Sequence, residues 1–553
     1  MTEFVGGAPR PGGADAGMNG DPGAIRDADG RLFEPAIGVP VELGNHGFMP
    51  VELGDQPSGS VASHGRTAIG GHEPDDTMRP VHGIAASENL IWRSALECAA
   101  LIRDKQLSPV ELTEAILARI EALNPRLNAF CLVTHDVARR AAREAEIAVM
   151  KREPLGALHG VPISLKDMIY TRGIRTTGGS RLYADLVPEE DAVAVLRVKA
   201  AGGVVLGKTN TSEFGHKAVT DNPLFGITRN PWDPSRTPGG SSGGAAAAVA
   251  AGLGPLALGT DGGGSVRIPA AFCNVVGFKP SYGRVPDHPG FPGWEHIDHI
   301  GPLARTVRDV ALVLDVIAGS DDRDRESLPG ESGSYLDACN GGVDGLNVAW
   351  TPDLGYARVD PTVLELCGDA AAEFETLGCH VEVVNPGWES PEDAFATIVA
   401  AQFYAAWSDE LPAAESKLDP TLVKLVRKGG GISARDYVKA LGRVRAYWQE
   451  VRTFLERFDL LLTPTTAVAP FEAGGSPPRD IDGERVSPLG WMPFTYPFNL
   501  TGQPAASVPA GFTADGVPVG LQIVGRRHAD HMVLAACAAF EAARPWSARR
   551  PPA

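Results

Sequence analysis

Residues 238–267 read PGGSSGGAAAAVAAGLGPLALGTDGGGSVR, and no charge falls between Pro238 and Thr260. A run of that length raises the question of a membrane span. Ser241, Ser242, the repeated glycines and Pro255 answer it, because this density of polar and helix-breaking residues reads as backbone packed inside a protein. Ser242 opens an alanine-rich helix, Pro255 follows it, and residues 256–258 form a short apolar strand. A second glycine-serine stretch comes directly after that strand.

The same alternation continues in both directions. Short apolar runs at 161–165, 204–206, 348–350, 381–384 and 460–462 are interleaved with helical patterns after Asp191 and over 306–318. The fold class this predicts is α/β, a large mixed β-sheet core covered by helices on both faces. Ahead of it, Ser108-Pro109-Val110-Glu111 has the form of a capping box with proline at the first helical position. Leu112, Ile116, Leu117, Ile120 and Leu123 then share one face, Asn124-Pro125 ends the helix, and a second helix covers 137–150. Near 386–455 a mostly helical insertion interrupts the series and is a candidate substrate lid.

Residues 1–85 are glycine-rich, and Pro40-Val41-Glu42-Leu43-Gly44 recurs as Pro50-Val51-Glu52-Leu53-Gly54 without a hydrophobic period. They read as a disordered extension, and Met78 is an alternative natural start. Residues 86–553 then form a single domain. The chain has 553 residues with 50 basic and 68 acidic side chains, a net charge of −18, which argues against a nucleic-acid or acidic-membrane partner. Its seven scattered cysteines contain no C-x-x-C pair, so neither a disulfide scaffold nor a zinc knuckle is expected. No secretory pattern opens the chain, and a reducing cytoplasm fits best.

Three short patterns carry less than they suggest. Gly202 to Thr209 satisfies the phosphate-loop string, but the residues between its glycines read as a strand, which such a loop needs before its first glycine. Gly239-Gly240-Ser241-Ser242-Gly243 matches a nucleophile elbow, yet the proline-rich loop before it is not the required strand. His296–His299 and His528–His531 lack the further ligands of a hydrolytic metal site, and Asp530 reads as the cap of the last helix.

Taken together, longer motifs carry more. Lys166 in Val161-Pro162-Ile163-Ser164-Leu165-Lys166-Asp167 stands 75 residues before Ser241. The segment from Gly259 through Arg267 to Pro269, Gly207-Lys208-Thr209-Asn210, Gly277-Phe278-Lys279-Pro280 and Asn499-Leu500-Thr501-Gly502-Gln503-Pro504 continuing to Gly520-Leu521-Gln522 complete a series in one order. Over about residues 90–546 the chain resembles the amidase signature family. The resemblance implies a nucleophile at Ser265, a bridging Ser241 on a cis peptide bond, and Lys166 as general base.

The residue chemistry agrees with those roles. Serine needs a neighbour to take its proton, and no histidine stands in a recognisable partner motif. A lysine serves if neutral, which takes roughly 4 kcal/mol from desolvation and nearby positive charge. Alternation along the strand puts Asp167 on the face opposite Lys166. The run Gly262-Gly263-Gly264 lets backbone N–H groups converge as an oxyanion hole, and Gly262, where many family members carry a larger residue, makes the loop less rigid or leaves more room for the acyl group. Asp261 and Arg267 read as a structural ion pair, Ser242 as a helix cap or relay aid, Lys208 as structural and Cys273 as core.

The expected activity is amide hydrolysis through a serine acyl-enzyme, releasing ammonia or an amine and requiring no metal or organic cofactor. The alternatives are an esterase or carbamate hydrolase with the same triad, a glutamine-dependent amidotransferase component, and a degenerate binding protein. The partner expected is a small-molecule amide, with no nucleic acid and no membrane; the resemblance implies a homodimer, on which the residues themselves are silent. Phe291, Trp294, Phe403, Tyr404, Trp407, Trp491 and Phe494 are candidates for an aromatic pocket or for ordinary core.

Overall fold

The computed structural model describes residues 90–552; the leader assigned to 1–85 and the start at Met78 lie outside the described residues. Ser94 caps α1 (Ala95–Arg103) with a complete capping box through Glu97. Ser108 Oγ accepts the Val110 and Glu111 N–H groups at the head of α2 (Pro109–Leu127). That hydroxyl also donates to Glu146 Oε1 at 2.5 Å, tying α2 to a later helix. The helix does not end at Asn124-Pro125 as expected. It runs through Pro125 and stops where Asn128 turns left-handed at φ 51° and its N–H closes on Asn124 O. The Asn124 side chain is needed beyond the helix, where it brackets Phe130 through both backbone groups.

From Phe130 the chain enters the sheet. Its first half comprises β1 (Phe130–Val133), α3 (His135–Met150), β2 (Pro162–Lys166), α4 (Val193–Ala200), β3 (Val204–Thr209), α5 (Gly243–Ala250), β4 (Leu256–Thr260), α6 (Arg267–Cys273), β5 (Val276–Lys279), β6 (Ile300–Ala304) and α7 (Val307–Ile317). The second half adds β7 (Asn347–Trp350), α8 (Pro361–Thr376), β8 (His380–Val383), β9 (Leu460–Pro464), β10 (Ala505–Phe512), β11 (Pro518–Gly525) and the last long helix, Asp530–Ala543. One eleven-stranded sheet holds them in the order β1-β3-β2-β4-β6-β5-β10-β11-β9-β7-β8. It is mixed: β3, β2 and β4 run parallel, β4 to β6 and on through β9 are antiparallel, and β9, β7 and β8 are parallel again. Every residue of β2, β3, β4, β5, β6, β9 and β11 is buried. Since alternate side chains point to opposite faces, burial along whole strands means that both faces are covered.

The charge-free stretch folds as read, with all eight residues of α5 buried. Among the described residues no helix is long and apolar enough to cross a membrane. The insertion between β8 and β9 is helical, with α9 (Glu392–Trp407), α10 (Pro420–Gly429) and α11 (Ala434–Phe454) as its main members. Two capping expectations are corrected. The Asp530 carboxylate caps nothing, because it accepts the Ser281 N–H and hydroxyl at 2.7 and 2.6 Å. Ser242 stands at the head of α5 without a side-chain cap bond, and its hydroxyl instead donates to Thr260 O at 3.1 Å.

Candidate active site

Parallel neighbours bring their carboxyl ends to the same edge of a sheet. Leu165 of β2 is level with Leu258 of β4, so Lys166 and Thr260 finish side by side. The Lys166 ammonium is fully buried and lies 2.8 Å from Thr260 Oγ1, 3.4 Å from Thr260 O and 2.7 Å from Ser241 Oγ. Burial pushes its pKa down from 10.5 to about 8, against the opposing pull of the Asp298, Asp261 and Asp287 carboxylates. The sequence reading assigned part of that depression to nearby positive charge; desolvation supplies it. Asp167, on the other face, accepts the Thr177 N–H at 3.2 Å and takes no part in holding the lysine.

The Gly240–Ser241 peptide bond is cis. Thr220 fastens this loop, its hydroxyl donating to Gly239 O at 2.8 Å and to Ser241 O at 3.3 Å and accepting the Gly243 N–H at 2.9 Å. Ser265, 6% exposed, is joined to the serine loop through its carbonyl, which accepts the Ser242 N–H at 3.1 Å. The second serine loop is thus anchored to the first by backbone, a tie that makes no use of the Ser265 hydroxyl.

Behind Ser265 lies a fully buried ion pair. Asp261 and Arg267 meet at 2.8 Å with neither side chain exposed. Burial alone would raise the Asp261 pKa, yet the Arg267 guanidinium and the Asn499 amide hold it well below the usual carboxylate range. Asp261 also accepts the backbone N–H groups of Gly264 at 2.7 Å and Val266 at 3.1 Å. One carboxylate therefore shapes the whole turn around Ser265. It also commits the Gly264 N–H, one of the three donors expected at the oxyanion. Gly264 has φ +120°, and a Cβ there would sit 2.6 Å from Thr495 Cβ, so only glycine fits. Beneath the loop, His299 Nδ1 contacts Asp261 O at 3.1 Å and Lys279 Nζ lies 3.2 Å from His299 Nε2, which places one histidine of the His296–His299 string in this scaffold. Among the described residues no three His, Cys, Asp or Glu side chains are grouped to hold a metal ion.

The room expected beside Gly262 is filled. A Cβ on Gly262 would lie 2.8 Å from Trp294 Cζ3 and 2.9 Å from Cδ2, and one on Gly263 would lie 2.9 Å from Phe395 Cζ of α9. Trp294 donates through Nε1 to Phe214 O at 2.9 Å and meets Phe403 edge-on at 5.3 Å. Phe214 is stacked on Trp407 at 3.9 Å and tilted against Phe291 at 5.4 Å. Of the aromatic candidates the structure thus gathers Phe291, Trp294, Phe403 and Trp407 around Phe214. Trp491 packs on Phe272 and Phe471, Phe494 is buried core, and Tyr404 is 43% exposed.

The helical insertion is pinned to the loop beside Ser241. Asp419, the cap of α10, meets Lys217 at 2.7 Å, its N–H donates to Glu213 Oε2 at 2.6 Å, and His216 Nε2 lies 2.7 Å from Thr421 Oγ1. Between these residues sits Gly215, whose Cβ position is 3.3 Å from Ser241 Oγ. Thr260, Thr220, Phe214 and Thr495 are neighbours of the candidate site that sequence reasoning missed. Only Thr260 had a signal, as the residue ending the strand before Asp261.

Residues 111–534 match the family described as Amidase. The chain is 43% identical over 472 residues to an acylamidase of Rhodococcus erythropolis, covering 84% of this chain and 98% of that one. It is 38% identical over 486 residues to a component of the glutamyl-tRNA(Gln) amidotransferase of Moorella thermoacetica, covering 84% and 99%. A crystal structure of a bacterial aryl acylamidase superposes with TM-score 0.78 at 37% identity, covering 83% of this chain and 97% of that one.

Proposed function

This chain belongs to the amidase family, and from that premise we propose that it is an amidohydrolase in which Ser265 attacks a carboxamide and forms an acyl-enzyme. The observation that carries the reading is the fully buried Lys166, its pKa pushed down to about 8 by burial and its Nζ 2.7 Å from Ser241 Oγ. Neutral Lys166 takes the Ser265 proton through Ser241 as the Ser265 Oγ–C bond forms. The carbonyl oxygen becomes an oxyanion facing the N–H groups of Gly262 and Gly263, with Gly264 held back by Asp261 to shape the turn. Lys166 then returns the proton through Ser241 to the leaving nitrogen, the C–N bond breaks, and ammonia or an amine departs. Water repeats the sequence on the ester and regenerates Ser265. No metal or organic cofactor enters these steps.

We read residues 86–553 as one amidase domain, with the helical insertion near 386–455 supplying Phe395, Phe403 and Trp407 to the site. The aromatic cluster, together with the acylamidase and aryl acylamidase relatives, favours amides that carry an apolar or aromatic substituent, anilides among them. Similarity to an amidotransferase component supports a second reading, in which a partner protein receives the ammonia.

Purified enzyme and the Ser265→Ala, Lys166→Ala and Ser241→Ala variants are incubated with a panel of primary amides, anilides, carbamates and esters, with mass-spectrometric detection. Wild type is expected to cleave amides without a partner protein, Ser265→Ala to be inactive, Lys166→Ala nearly so, and Ser241→Ala severely slowed. Turnover by Ser265→Ala at the wild-type rate refutes the nucleophile. Amide cleavage only after a partner protein is added selects the amidotransferase reading, and faster cleavage of matched esters or carbamates selects the other hydrolases.

A further inference from the structure

Gly262 is not among the glycines with positive φ, so its backbone is open to any residue. What requires glycine there is space: the indole of Trp294 lies where a Cβ would go, within 3.0 Å of three ring carbons. The ring has little freedom to yield. Its Nε1 is bonded to Phe214 O at 2.9 Å, and the ring packs T-shaped with the buried Phe403 of α9, centroids 5.3 Å apart. Away from Gly262, Trp294 lines a cleft of about 420 Å³ with Phe291, Glu295 and Asp298. The indole therefore both packs on Gly262 and borders open space.

We propose that Gly262 and Trp294 form a size-complementary pair in which Trp294 is the specificity-determining residue, limiting the bulk of the substituent that an amide substrate can place beside the oxyanion loop. The inference rests on the amidohydrolase reading. A substituent that grows toward the ring collides with it, and a branched one does so sooner than a flat or small one. A side chain at Gly262 displaces either the indole or its own N–H, and removing the indole relieves that conflict.

The test is a double-mutant cycle of Gly262→Ala and Trp294→Ala, with kcat/KM measured on two matched series, anilides grown on the acyl side and amides grown on the amine side. Gly262→Ala is expected to lose about 100-fold, the scale of one misplaced oxyanion donor. The double variant is expected to recover at least about tenfold over Gly262→Ala, an interaction that independent sites do not show. Trp294→Ala is expected to raise the ratio of branched to small substrate by about tenfold in one series, the scale on which apolar pockets discriminate. Thermal unfolding verifies folding, and Trp294→Leu replaces Trp294→Ala if the latter does not fold. A double variant no better than Gly262→Ala, or an unchanged size ratio, overturns the proposal. Ser265→Ala runs beside the series: residual wild-type turnover there condemns the amidohydrolase reading, whereas its inactivity with an additive cycle condemns only the pair.

Discussion

Lys166 can act as a base only when neutral, so the pH at which it loses its proton sets the working range. Holding it at about 8 in place of 10.5 corresponds to roughly 3 kcal/mol against the charged form. The fraction of neutral lysine is then about one half at pH 8, about 10% at pH 7 and about 1% at pH 6. Activity is therefore lost as pH falls through about 8, with kcat/KM dropping close to tenfold per pH unit below that point. The assay is initial-rate kinetics on one anilide from about pH 6 to about pH 9.5, followed by the same series on Lys166→Met. Stability gives a second readout with a definite sign. The unfolded chain keeps the lysine proton up to about 10.5 and the folded one releases it near 8, so between these values the unfolded state binds more protons and stability rises with pH. Lys166→Met removes that dependence, and its stability relative to wild type is expected to fall by roughly 3 kcal/mol between pH 7 and pH 10.5. A rate that is flat across the range, or that falls above pH 7, refutes Lys166 as the base, and parallel stability profiles refute the buried-lysine argument itself.

Two further substitutions probe what holds the site. Asp261→Asn leaves the Arg267 guanidinium buried without its charge partner and is expected to cost about 3–5 kcal/mol by chemical unfolding, with loss of activity because the turn around Ser265 loosens; a cost under about 1 kcal/mol contradicts the role given to the pair. Asp419→Ala removes the cap of α10 and the ion pair to Lys217, worth about 1–2 kcal/mol locally for the cap alone. Limited proteolysis is expected to cut within α9 to α11 before the rest of the chain in that variant, and an unchanged cleavage pattern argues against the clamp.

The sequence exposed the proposed reacting groups better than their surroundings. Lys166, Ser241 and Ser265 stand in long motifs whose order is readable, and β2 and β4 announce themselves as apolar runs bounded by glycine or proline. The strands β5, β6, β10 and β11 do not, because each contains glycine or proline that local propensity assigns to turns. The reason is tertiary. Gly277 of β5 and Gly520 of β11 sit under α6, where a Cβ would come within 2.7 Å of Ala270 and 2.6 Å of Ala271. Glycine in those strands lets the helix that follows Ser265 lie directly on the sheet, so the residues that obscured the strands are the ones that position Ser265. Gly262 was misread for the same kind of reason. A glycine in sequence shows that a side chain is absent, and only the folded chain shows that an indole some thirty residues later occupies the space. In the proposed mechanism the distinction has a consequence: an empty notch would leave the loop free to relax away from the carbonyl oxygen, whereas packing of Trp294 on Gly262 and Phe395 on Gly263 would hold its N–H groups in place before substrate arrives.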